Sequence, residues 1–208
     1  MGLVEIWIVE TGIQDHRITR RIMMDEQNII IETKDWIQTI VIGLNLCPFA
    51  RPVLDADLIN YVVSDSRTNQ DLKEDLIRAL EILNNSKPEE RNNTLLIHPE
   101  VLQDFFAYND FLDTADQVLE DAELGGVIQI ASFHPAYQFI DTQPDDPANY
   151  TNRSPHPMLH LLKEDEISKV VDLYPDVDQI PQRNINTLRS LGIDHIQRLY
   201  QSSSTRDK

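Results

Sequence analysis

Between residues 58 and 133 three short apolar runs alternate with two long amphipathic ones, and no other feature constrains the fold as much. The short runs, 58–63, 94–97 and 127–133, have the length and β-branched content of strands. Between the first two, Leu72, Leu76, Leu80 and Leu83 fall on one face of a helix over 70–84. Between the last two, Leu102, Phe105, Phe106, Phe111, Leu112, Ala115, Val118, Leu119 and Ala122 form the expected buried face of a helical region over about 100–123. A break at Asn109-Asp110 is expected in that helix, and Gly125-Gly126 follows its end. Strand, helix, strand, helix, strand is the pattern of parallel crossover units.

The flanks are more helical. Trp36, Ile37, Ile40, Val41 and Leu44 recur at helical spacing over 33–44, with Thr33 as a cap and Gly43 and Asn45 at the end. After residue 156, helices are expected over 157–162, 164–173, 181–191 and 194–201, with Gly192 closing the third. The expected fold is α/β: a small, mostly parallel sheet of three to four strands packed by helices, with a helical C-terminal region. Residues 1–24 read as a peripheral extension, 25–201 as a single α/β domain and 202–208 as a frayed tail. Met23-Met24 would also suit a start within the chain. Lys87-Pro88-Glu89-Glu90 reads as an exposed turn.

Charge narrows the partners. The net charge is −17, and no Lys or Arg occurs between Arg91 and Arg153. Such a field repels nucleic-acid phosphates and anionic lipid, so neither is an expected partner. No run approaches the length of a membrane span, and the N-terminus lacks a basic signal-like region. The lone cysteine, Cys47, excludes an intrachain disulfide and fits a reducing, cytoplasmic setting.

Two expected strands end in the same dipeptide, His98-Pro99 and His134-Pro135. On parallel strands both histidines would stand at the carboxyl edge of the sheet, where ligands of open α/β sheets bind. A strand-terminating His bonded to nearby backbone is the plainer alternative. His156 and His160 are four residues apart, a zinc-site spacing on a helix, but Pro157, Met158 and Leu159 between them lack the metalloprotease pattern. Cys47, in Leu-Cys-Pro-Phe, is a soft ligand or nucleophile if a base reaches it, and otherwise a small buried hydrophobe.

The irregular segment 135–156 is long for a compact domain and so a place for binding groups. Within it, Arg153, Asn149, Asn152 and Tyr150 are the candidate substrate-binding residues, Arg153 for an anionic group. An Arg153 that merely holds the loop in shape is the alternative. Catalytic candidates are His134, Cys47 and His98; for a divalent metal they are His134, His160 and Cys47. Gly-x-Gly-x-x-Gly, P-loop, Gly-x-Ser-x-Gly and EF-hand patterns are all absent.

Residues 43–50 (Gly-Leu-Asn-Leu-Cys-Pro-Phe-Ala), Ser-Phe-His-Pro at 132–135, the stretch from Pro144 to Pro155 and Leu-His-Leu-Leu at 159–162 carry a resemblance. There the chain resembles a bacterial family of uncharacterised proteins, domain of unknown function fourteen-fifteen, over about residues 30–200. The resemblance implies a stand-alone bacterial protein and carries no catalytic residue with it. The residues themselves leave three functional classes open. The first is a small-molecule enzyme or metal-assisted catalyst, with a His/Cys/Arg cleft at the sheet's carboxyl edge. The others are a non-catalytic module for a small anion or metal, and an acidic module for a basic protein partner.

Overall fold

The computed structural model describes residues 25–87, 93–171 and 176–203. The expected N-terminal extension, most of the turn at 87–90 and the tail from 204 lie outside the described residues. Four strands form one sheet: β1 (Ile59–Val63), β2 (Asn93–Ile97), β3 (Ile128–Phe133) and β4 (Met158–Lys163). Their order is β1-β2-β4-β3.

The crossover unit is present. β1 and β2 pair in parallel, from Ile59 opposite Asn93 to Val63 opposite Ile97. Helix α3 (Asn69–Asn85) connects them. Thr68 caps it by accepting the Asp71 N–H at 3.2 Å, which satisfies one of the orphan donors of the first turn. Its leucine stripe is buried, as the spacing requires. Helix α4 (Phe105–Asp121) runs from β2 toward β3, capped by the Asp104 side chain, without the expected break at Asn109-Asp110. The Tyr108 and Phe111 side chains on either side of that point are both buried, so core packing carries the helix straight through it.

The expected helix over 157–162 is absent: residues 158–162 belong to β4, which enters the sheet between β2 and β3 and pairs antiparallel with both. β2 and β3 therefore point the same way without touching. The sheet has one parallel pair and two antiparallel ones, so it is not mostly parallel. The cause lies in β4 itself. Met158, Leu159 and Leu161 are fully buried, because a central strand is covered on both faces. Its run is apolar apart from His160 and the terminal Lys163, so it carries no clear period of two.

The two faces have separate cores. Leu96, Leu159, Leu161 and Ile128 pack under α3 and α4. Leu95, Ile97 and Met158 point the other way, toward the N-terminal and C-terminal helices. The N-terminal helix, α1, is regular over residues 25–36 and widens to a π-helix over Ile37–Ile42. The short helix α2 (Ala50–Asp55) follows. The helical C-terminal region comprises α5 (Glu164–Val171), α6 (Ile180–Leu191) and α7 (Ile193–Ser203). Among the described residues no helix is long and apolar enough to cross a membrane.

Candidate functional site

The strand-end histidines do come together, but in the core. His98 and His134 are 0% and 1% exposed. Tyr108 of α4 lies between their rings, with centroids 5.8 Å from His98 and 5.0 Å from His134. The Tyr108 hydroxyl donates to the Met158 carbonyl at 2.8 Å and accepts the Phe133 N–H at 3.1 Å, tying β4 to β3. His134 Nδ1 accepts the Ala136 N–H, so its Nε2 carries the proton and donates to the Leu102 carbonyl at 3.1 Å. Both nitrogens are thus spent on backbone. His98 Nδ1 donates to the Val101 carbonyl at 3.0 Å, while its buried Nε2 meets no partner among the described residues. Burial pushes the His98 pKa down to about 4 and lowers that of His134.

The long loop is a built structure. Asn149, fully buried, accepts from the Phe139 N–H and the Thr142 hydroxyl and donates to the Gln143 carbonyl. Asn152 donates to the Ser132 carbonyl at 3.0 Å. Arg153 donates to the carbonyls of Tyr137 and Pro144 at 3.0 and 2.7 Å and stacks over the Tyr150 ring at 4.7 Å. Tyr150 packs in turn against Tyr200 of α7, whose hydroxyl donates to the Arg153 carbonyl. Asp146 caps a 3-10 turn over Pro147–Thr151 and holds Arg189 of α6 at 2.7 Å. The four candidate substrate-binding side chains hold the loop itself. His156, expected near a helix start, instead faces Glu32 of α1 at 2.8 Å.

The convergence of Cys47, His98, His134, His160 and Arg153 at the carboxyl edge is therefore not observed. A half-open cavity of about 390 Å³ lies on the opposite face, toward the amino ends of β1, β2 and β3. Its floor is two rows of the sheet. One row is Gln129, Leu162, Asn93 and Ile59; the next is Ala131, His160 and Leu95. Trp36, Ile37 and Val41 of α1 form one wall, and Cys47, Phe49, Ala50 and Val53 another. Glu166 and Ile167 of α5 close the end where Lys163 stands. Phe133 fills the side near the loop, edge-on to Trp36 at 5.4 Å between ring centroids.

Two of the sequence candidates, Cys47 and His160, line this cavity. His160 shares a 3.2 Å hydrogen bond with Asn93, Nε2 donating to Oδ1. Crowding by protein atoms pushes its pKa down to about 4, so the ring is neutral at neutral pH. Burial also raises the Cys47 thiol pKa; backbone N–H groups of Phe49 and Ala50 oppose this without reversing it. The cavity thus presents a neutral imidazole and a neutral thiol. Among the described residues no three of His, Cys, Asp and Glu stand close enough together to hold a metal ion. His134, the third metal candidate, is not among the lining residues.

Trp36, which the sequence marks only as part of a helix stripe, lines the cavity with Asn93, Gln129 and Lys163, none of them a site candidate from sequence. The only signal was Asn93 and Gln129, polar residues at the starts of otherwise apolar strands. The family described as Protein of unknown function (DUF1415) matches residues 28–198, most of the chain. No curated protein and no solved structure matches.

Proposed function

The chain belongs to the DUF1415 family, proteins of unknown function, and on that premise we propose that it binds a small, largely apolar molecule in the cavity between the sheet and α1. The observation that carries this is the cavity's build. Its volume sits at the small end of the range for ligand sites, and its walls are aliphatic and aromatic with a few polar groups. The loop and the strand-end histidines are supports in this reading, not ligand contacts.

The test is a titration with a neutral naphthylamine dye, whose emission rises in apolar surroundings. One saturable site per chain, with Trp36 emission quenched in step, is the expected result. Dye uptake that never saturates, or none at all, would sink the proposal.

A catalytic version has one observation in its favour: Cys47 and His160, a nucleophile and a proton acceptor, line the same cavity. In that version His160 takes the thiol proton as sulfur adds to the β-carbon of a conjugated enone. The C=C π pair shifts toward the carbonyl and the α-carbon then takes that proton back, so burial need hold the thiol neutral only at rest. A covalent adduct at Cys47 that forms with a small apolar electrophile, and forms much more slowly in His160→Phe, would separate this from simple binding.

A further inference from the structure

Most polar groups around the cavity already have partners within the fold. Trp36 Nε1 donates to the Tyr200 hydroxyl at 3.0 Å. Lys163, the only cation among the described lining residues, donates to the Ser86 carbonyl at 2.5 Å. The N–H groups of Phe49 and Ala50 favour the Cys47 thiolate without offsetting its burial, so the thiol stays neutral. Asn93, 4% exposed, gives its Oδ1 to His160.

Among the described residues two lining groups are exceptions: the amide of Gln129, which is exposed, and His160 on the floor of the cavity. An amide oxygen can only accept, so the bond from Asn93 Oδ1 to His160 Nε2 places the ring proton there. The neutral ring then carries its lone pair on Nδ1. Among the described residues Nδ1 meets no hydrogen-bond donor. Its surroundings supply none: Ala131 and Leu95 stand beside it on the neighbouring strands, and the Phe133 ring is 6.2 Å away. A strong acceptor set in an apolar floor is the arrangement that fixes a ligand's orientation and selects its functional group.

We propose that the cavity's ligand carries one hydroxyl or N–H group that donates to His160 Nδ1. The ligand class is then neutral, mostly apolar alcohols, phenols or N–H heterocycles. Anions are disfavoured, because the Lys163 ammonium is already held by a carbonyl and Glu166 stands beside the same opening. Pure hydrocarbons would fit by shape but leave the acceptor unmet. This inference rests on the cavity being the ligand site.

The experiment compares 2-naphthol with 2-methylnaphthalene, which exchanges the hydroxyl for a methyl group of similar size. Both are titrated into the full chain and into His160→Phe. The ratio of naphthol to methylnaphthalene affinity should fall about tenfold in the variant, the worth of one hydrogen bond. An unchanged ratio overturns the donor rule while leaving the cavity as a binding site. Binding of neither probe to the parent overturns both. Should His160→Phe not fold, the parent labelled with 15N-histidine decides. The assigned His160 Nδ1 resonance should shift with 2-naphthol and not with 2-methylnaphthalene. Equal shifts, or none with bound naphthol, overturn the proposal.

Discussion

At the scale of single residues, the histidines titrate against folding. A His whose folded pKa lies below its unfolded value must be neutral in the fold while the unfolded chain takes up a proton. Stability is therefore complete above an unfolded pKa near 6.5 and falls as pH drops toward the folded value. For His98, fully buried and with a folded pKa of about 4, the loss across that window is on the order of 3 kcal/mol. His160 acts in the same direction. Urea unfolding midpoints should therefore drop between pH 7 and pH 5. Equal midpoints at the two pH values would show that these rings are not held neutral. The same residues mark how far a sequence can be read. His98-Pro99 and His134-Pro135 gave strand ends correctly, and the plainer alternative, rings bonded to backbone, is what the fold contains. Likewise Arg153 holds its loop through carbonyls of Tyr137 and Pro144. Residue type could not decide these cases. A ring at a strand end faces either a cleft or a helix, and here Tyr108 of α4 fills the space between the two rings.

At the scale of elements, legibility followed period. The helices α3, α4 and α6 bury one stripe each and were placed from sequence to within a few residues, apart from the early start given to α4. β4 buries both faces and was read as a helix, which moved His160 from the floor of a cavity to the side of a helix four residues from His156. That one error hid the site, because cavity and strand share His160 and Leu162. The π turn of α1 was equally invisible, since its widening depends on backbone geometry and not on residue pattern. It can be tested at Gly43. In an ordinary helix, glycine to alanine stabilises by roughly 0.5–1 kcal/mol, through chain entropy. Here a Cβ on Gly43 would lie 2.1 Å from the Thr39 carbonyl oxygen, backbone that cannot swing aside. Overpacking of about 1–3 kcal/mol should win, so Gly43→Ala should lower stability. A raised melting temperature would mean that the turn is not wound this way.

At the scale of the whole molecule, the sheet divides a filled face from an open one. One face is filled by the leucines of α3 and the aromatics of α4. The other is packed by α1, α6 and α7 yet keeps about 390 Å³ open above β2 and β4. Well-packed interiors seldom leave such a space, and filling it ought to add stability. Ala131 is the place to try, because it stands on the floor beside His160 and its methyl reaches the open volume. Ala131→Leu adds three carbons of apolar surface. Burying them is worth about 0.8 kcal/mol per methylene, against an overpacking penalty that arises only where no space exists. A real cavity therefore predicts two changes together: a higher unfolding midpoint and a loss of dye binding. A packed or collapsed face predicts the reverse sign for stability. A stabilised variant that still binds dye with parental affinity would place the ligand site elsewhere on the molecule.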